Sequence, residues 1–116
     1  MGKVLRFQTG DGEAAPWRGD PTSMITRCID ETNSETMGCG YLTMSKTAQR
    51  STIDFDEIMI LLDGHFRSRC GEETHECAPG DMLWIPADTT FTLECDSAAT
   101  LIYIKYPAKT AVPPKD

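Results

Sequence analysis

Asp54-Phe55-Asp56-Glu57-Ile58-Met59-Ile60-Leu61-Leu62-Asp63-Gly64, followed by Gly80-Asp81-Met82-Leu83-Trp84-Ile85-Pro86, decides how this chain is read. The run from Glu57 to Leu62 is apolar on both parities, whereas a strand wet on one side would alternate. It is therefore expected to be covered on both faces. Asp63-Gly64 supplies the turn that ends it. A glycine-aspartate turn opens the second run and Pro86 closes it, since proline cannot donate to a central ladder.

The rest of the chain agrees with a β reading. Met24–Ile29 and Met37–Lys46 have strand character, separated by a polar turn over Asp30–Thr36. His65, Arg67 and Arg69 alternate with Phe66, Ser68 and Cys70, so the charged set should face water. Gly71-Glu72-Glu73 reads as a hairpin turn, Thr74–Cys77 as the return, and Phe91–Cys95 and Thr100–Tyr106 as the last strands. Many short strands with frequent turn signals, and no 3.6-residue period, give an all-β sandwich or barrel. The expected organisation is an N-terminal arm over 1–23, a barrel over 24–107 and a proline-rich tail over 108–116.

Composition narrows the function. The chain has 116 residues and a net charge of −7, one domain by size. That field repels phosphate backbones and anionic membranes, which argues against nucleic acid or a membrane as partner. No apolar leader is visible, so the reading is cytoplasmic. The five cysteines, Cys28, Cys39, Cys70, Cys77 and Cys95, form no C-x-x-C pair and read as small apolar residues.

The segment Asp54–Pro86, with the late Tyr103-Ile104-Lys105-Tyr106-Pro107 run, resembles the cupins, and within them the cupin domain of the EutQ family. The resemblance implies a single-domain cupin, a double-stranded β-helix or jelly-roll barrel. It also implies the site: cupins usually hold a metal on three histidines and one glutamate. Glu57 stands at the glutamate. The paired histidine positions fall on Ser51 and Ile53, or on Arg50 and Thr52 in the longer spacing. Phe91 stands at the third, and Asp88 replaces an expected glycine. Ile53 and Phe91 carry no donor atom, so no cofactor is expected. A non-standard Glu57–His75–Cys77 ligand set is the metal-dependent alternative, although that hairpin usually packs away from the metal pole.

The expected function is binding of a small metabolite in an apolar pocket around Glu57. Its ligand-binding residues would be Ser51, Ile53, Phe55, Met59, Phe91, Tyr41 and Tyr103. Glu57 is the candidate catalytic group, a carboxyl whose burial raises its pKa. Trp84 and Met82 alternate with Leu83 and Ile85, which gives core on one side and a homodimer interface on the other. Lys46 and Arg50 are candidate rim cations for an anionic substrate. Three rival readings remain open. The resemblance links EutQ-type proteins to acetate kinase activity, which would use Glu57, and to microcompartment proteins, which would make the chain a scaffold. The third rival is the metal-dependent cupin.

Overall fold

The computed structural model describes residues 2–108; the stretch 109–116, most of the expected tail, lies outside them. Eight strands follow one another: β1 (Ala15–Trp17), β2 (Asp20–Ile29), β3 (Gly38–Thr52), β4 (Asp56–Gly64), β5 (Phe66–Cys70), β6 (Glu73–Cys77), β7 (Met82–Ile85) and β8 (Thr90–Tyr106). All pairings are antiparallel, in the order β1-β2-β3-β8-β4-β7, with β5 joining β8 to β6. Strand pairing thus begins at Ala15, inside the segment expected to be an arm. The polar turn over 30–36 and the hairpin at Gly71 lie where the sequence placed them.

β3 and β8 are the long members of the sheet. They pair from Gly38–Lys105 to Thr52–Thr90, with the register shifting between Ser45 and Thr47. Lys46 takes φ 47° at that corner. Upstream the inward residues of β3 are even-numbered, Gly38, Gly40, Leu42 and Met44; downstream they are odd, Gln49 and Ser51. The corner therefore resets the alternation, as a bulge does by inserting an unpaired residue. β8 was expected as two strands, Phe91–Cys95 and Thr100–Tyr106. It is one, because exposed Asp96, Ser97 and Ala98 form the outside of the same corner while the odd-numbered side chains on either side of it stay inward.

The inward residues make one core, including Ile25, Leu42, Met44, Ile53, Met59, Leu61, Phe66, Leu93 and Leu101. The two quoted segments are tied within it. The Gly80 amide donates to the Leu61 carbonyl at 2.8 Å, and the Leu61 amide donates to Asp81 at 3.1 Å. The Ala87 amide donates to the Asp56 carboxylate at 2.9 Å. Asp88, where the resemblance expects glycine, takes φ 67°, which aspartate tolerates better than most residues.

β4 is covered on one face and partly open on the other. Glu57, Met59 and Leu61 are buried, Ile58 and Ile60 half-buried, and Leu62 exposed. Met82 and Trp84 are 69% and 61% exposed, and they pair with Ile60 and Ile58. Ile102 and Ile104 flank the same two isoleucines from β8. This leaves a continuous apolar face on β7-β4-β8. No helix among the described residues is long and apolar enough to cross a membrane.

Gly40 marks where the chain allows no side chain. A Cβ there would run into the Thr26 carbonyl oxygen and lie 2.9 Å from the Tyr103 ring and hydroxyl. Backbone cannot yield as a flexible side chain can. Gly40→Ala is expected to cost about 3 kcal/mol or more in urea denaturation. Gly71→Asn, at φ 60° with nothing within 4 Å, should stay within about 1 kcal/mol of the parent.

Candidate functional site

A cavity of about 160 Å³ opens among β2, β3, β4 and β8, beneath the turn between β1 and β2. Its wall includes Ile53, Phe55, Glu57, Met59 and Tyr103, five of the residues the sequence nominated. Alternation explains how β4 and β8 deliver theirs: Glu57 and Met59 share the inward face of β4, and Tyr103 and Lys105 share the inward parity of β8. The cavity is not only apolar, as the sequence suggested. Arg18, Arg27 and Lys105 also line it, with Asp30 and Glu31 beside them.

Glu57 is 7% exposed and lies opposite Lys105 in the ladder. Burial pushes its carboxyl up to about 7, and the charges of Lys105 and Arg18 oppose that rise. Burial likewise pushes the Lys105 ammonium down, and Glu57 partly restores it. Each group is thus driven toward neutrality by loss of water and held charged by the other. The Lys105 ammonium also lies 4.6 Å from the centre of the Phe55 ring, a cation–π contact that steadies it in place. Burial raises the Tyr103 phenol, so it remains a neutral donor.

Ser51 is fully buried and accepts a 2.6 Å hydrogen bond from Arg18 Nη1. It stands behind the arginine. Phe91, opposite Ser51 in the ladder, is buried in the core and off the cavity wall. Tyr41 faces the outer side, where its hydroxyl donates to the Phe7 carbonyl at 3.3 Å. It leaves the candidate set because even parity upstream of Lys46 turns odd residues outward. Lys46 and Arg50 are exposed and also off the wall. His75 is exposed, 3.5 Å from Glu73, and Cys77 is buried below it, its thiol 3.9 Å from the His75 carbonyl oxygen. The β5–β6 hairpin therefore keeps these two away from Glu57, and the alternative ligand set does not assemble.

The donors present do not fit the metal that the cupin resemblance implies. Ile53 and Phe91 have no ligating atom. Ser51 is engaged by a guanidinium, whose charge opposes a cation at the same place. Among the described residues no group of three or more His, Cys, Asp or Glu is arranged to hold a metal ion.

Three cations were missed. Arg27 lies on the inward parity of Ile25, and Lys105 on that of Tyr103, so both were visible as alternation, but a charged residue is ordinarily assigned to water. Arg18 carried no signal, because nothing in its neighbourhood reveals a hairpin folded over the barrel mouth.

Three comparisons place this geometry among known proteins. The family model described as ethanolamine utilisation protein EutQ matches residues 5–111. The acetate kinase EutQ of Salmonella typhimurium is 24% identical over 107 residues, 92% of this chain and 44% of that one, so the chain spans less than half that relative's length. A crystal structure of a Salmonella typhimurium ethanolamine utilisation protein Q superposes with a TM-score of 0.76 at 21% identity, covering 83% of this chain and 80% of that one. The cupin domain of Schizosaccharomyces pombe Cnp3 does so with a TM-score of 0.73 at 10% identity, over 90% and 70%. The fold is the cupin fold.

Glu57 leaves a thermodynamic signature. Its folded pKa of about 7 lies above the ordinary 4.5, so its neutral form stabilises the fold fully below about pH 4.5. That contribution is lost as pH rises through about 7. Glu57→Gln keeps a neutral group at every pH. Its unfolding free energy should match the parent near pH 4.5 and exceed it by roughly 3 kcal/mol at pH 8, measured in urea.

Proposed function

The chain belongs to the EutQ family, and from that premise we propose that its cavity binds a small organic anion, a short carboxylate or its acyl phosphate, between Glu57 and the cations Lys105 and Arg27. The observation that carries this is a buried glutamate sharing one cavity with three basic side chains. Arg18 and Lys105 are half-buried and Arg27 stands exposed at the rim; partial shielding from water strengthens the attraction of the first two for an anion. The apolar wall of Ile53, Phe55 and Met59 accepts the carbon end of such a ligand. Size supports a short one: an engineered 150 Å³ cavity holds a benzene, and this one is about 160 Å³.

The name of the Salmonella relative, acetate kinase, favours acetate and acetyl phosphate as first ligands. A cavity of this size takes in no whole nucleoside triphosphate, so phosphoryl transfer is the second reading. Acetyl phosphate formed from acetate and ATP, and lost in Glu57→Gln, would move the protein from binder to enzyme.

Protonation of Glu57 sets the pH dependence. Ionised, it repels an anion; neutral, it donates a hydrogen bond to one. Acetate or acetyl phosphate affinity, measured by calorimetry, should fall as pH rises through about 7, and Glu57→Gln should flatten that step. Lys105→Met should weaken binding about tenfold to a hundredfold. Affinity indifferent to Lys105→Met would overturn the reading.

A separate observation supports a homodimer. We propose that two copies pair through the apolar face of β7-β4-β8, where Met82 and Trp84 stand exposed beside Ile58 and Ile60. Sheet faces of this composition are ordinarily covered, and a two-fold pairing needs only one self-complementary patch. Light scattering should return twice the chain mass for the parent and the single-chain mass for Trp84→Glu. A parent that runs as a monomer would sink the proposal.

A further inference from the structure

The turn joining β1 to β2 holds a conformation that its sequence does not favour. Trp17 and Asp20 are the last paired residues, leaving Arg18 and Gly19 as a two-residue loop. Both have positive φ, 54° and 79°. Loops of this geometry favour asparagine or aspartate followed by glycine, because longer side chains crowd their own backbone there. Arginine at the first position costs on the order of 1 kcal/mol. A residue kept against such a preference is held by its surroundings.

The surroundings of Arg18 are well defined. Its guanidinium carbon sits 4.7 Å from the centre of the Trp17 ring. Its Nη1 donates to Ser51 Oγ at 2.6 Å, and the side chain reaches the cavity wall. Ser51 in turn is fixed by the frame: it is buried on β3 downstream of the Lys46 corner, opposite Phe91. Two different elements therefore set one guanidinium over the cavity. A guanidinium presents a planar fork of donors that matches the paired oxygens of a carboxylate or a phosphate.

We propose that the β1–β2 hairpin is the selectivity element of the cavity, with Trp17 and Ser51 as positioning residues that hold the Arg18 guanidinium against the anionic end of the ligand. It follows that the cavity takes an anion in preference to a neutral molecule of the same shape. This inference rests on the anion-binding reading above. The recognised chemistry is a pair of charged oxygens, and inorganic phosphate beside acetate distinguishes a phosphate from a carboxylate.

The experiment compares acetate, inorganic phosphate and acetamide, the neutral counterpart of acetate, by calorimetry on the full chain. Wild type should bind one of the anions at least about tenfold tighter than acetamide. Arg18→Gln should remove most of that preference, and Arg18→Lys should retain part of it. Ser51→Ala keeps the arginine but removes the hydroxyl that accepts from its Nη1. It should weaken the preference and raise the Glu57 titration midpoint, followed by carbon NMR, because a looser cation opposes the neutral form less. A purely structural serine would change the melting temperature and leave that midpoint alone. Should Ser51→Ala not fold, Trp17→Leu, which removes the ring against which the guanidinium stacks, takes its place with the same two readouts.

An anion preference unchanged in Arg18→Gln overturns the proposal, and so does a Glu57 midpoint unmoved in the positioning variant. If wild type binds none of the three probes, the anion-binding reading falls and takes the ligand half of the inference with it. The Glu57 midpoint still decides, without ligand, whether Ser51 positions Arg18.

Discussion

The pairing of β3 with β8, and the corner at Lys46 that interrupts it, is the constraint on which the rest of the molecule depends. β8 is hydrogen-bonded along both edges, to β3 on one side and to β4 and β5 on the other. Its odd-numbered side chains on either side of the corner, Phe91, Leu93 and Cys95 and then Ala99, Leu101 and Tyr103, therefore fill the barrel. The corner lets one strand serve two regions of the core, and it does so by resetting which residues of β3 face inward. Without the reset, Ser51 would face outward and Arg18 would lose its anchor. A backbone irregularity far along the chain thus decides the chemistry of the cavity.

That chemistry is a substitution of kind. The frame that carries histidines in other cupins carries Ser51, Ile53 and Phe91 here, and none of these replaces a ligand. What enters instead is positive charge from side chains: Arg18 over the mouth, Arg27 from β2 and Lys105 from β8. Glu57 keeps its place in the frame but changes its neighbours. Loss of water favours its neutral form, and the cations favour its charged form; the balance falls near neutrality. A group balanced in this way responds to small changes in its surroundings, a bound anion among them.

Much of this was legible in the sequence, and the failures have physical reasons. The both-parity apolar run of β4, the turn glycines and the proline after β7 were enough for the strands around Glu57. The resemblance supplied Ser51, which alternation counted from Leu42 would have turned outward, since nothing local announces a bulge at Lys46. Tyr41 failed for the converse reason: its parity places it outside, where it meets the N-terminal segment at Phe7. Arg27 and Lys105 were visible as inward positions, yet a charge on an inward position reads as an error unless the cavity is known. Arg18 depends on a contact across 33 residues, and sequence carries no record of such a contact.

The lining of the cavity is close to charge balance, with Arg18, Arg27 and Lys105 set against Asp30, Glu31 and Glu57, while the chain as a whole is strongly acidic. With a net charge of −7, and with Asp30 and Glu31 beside the cavity cations, an approaching anion meets repulsion before it meets attraction. The consequence is kinetic. Dissolved salt screens the outer repulsion over about 8–10 Å at ordinary ionic strength, while the half-buried Arg18 and Lys105 are screened less. For the anionic ligand proposed above, encounter should therefore be slow in dilute buffer and quicken as salt is added, the reverse of a protein whose surface steers its ligand.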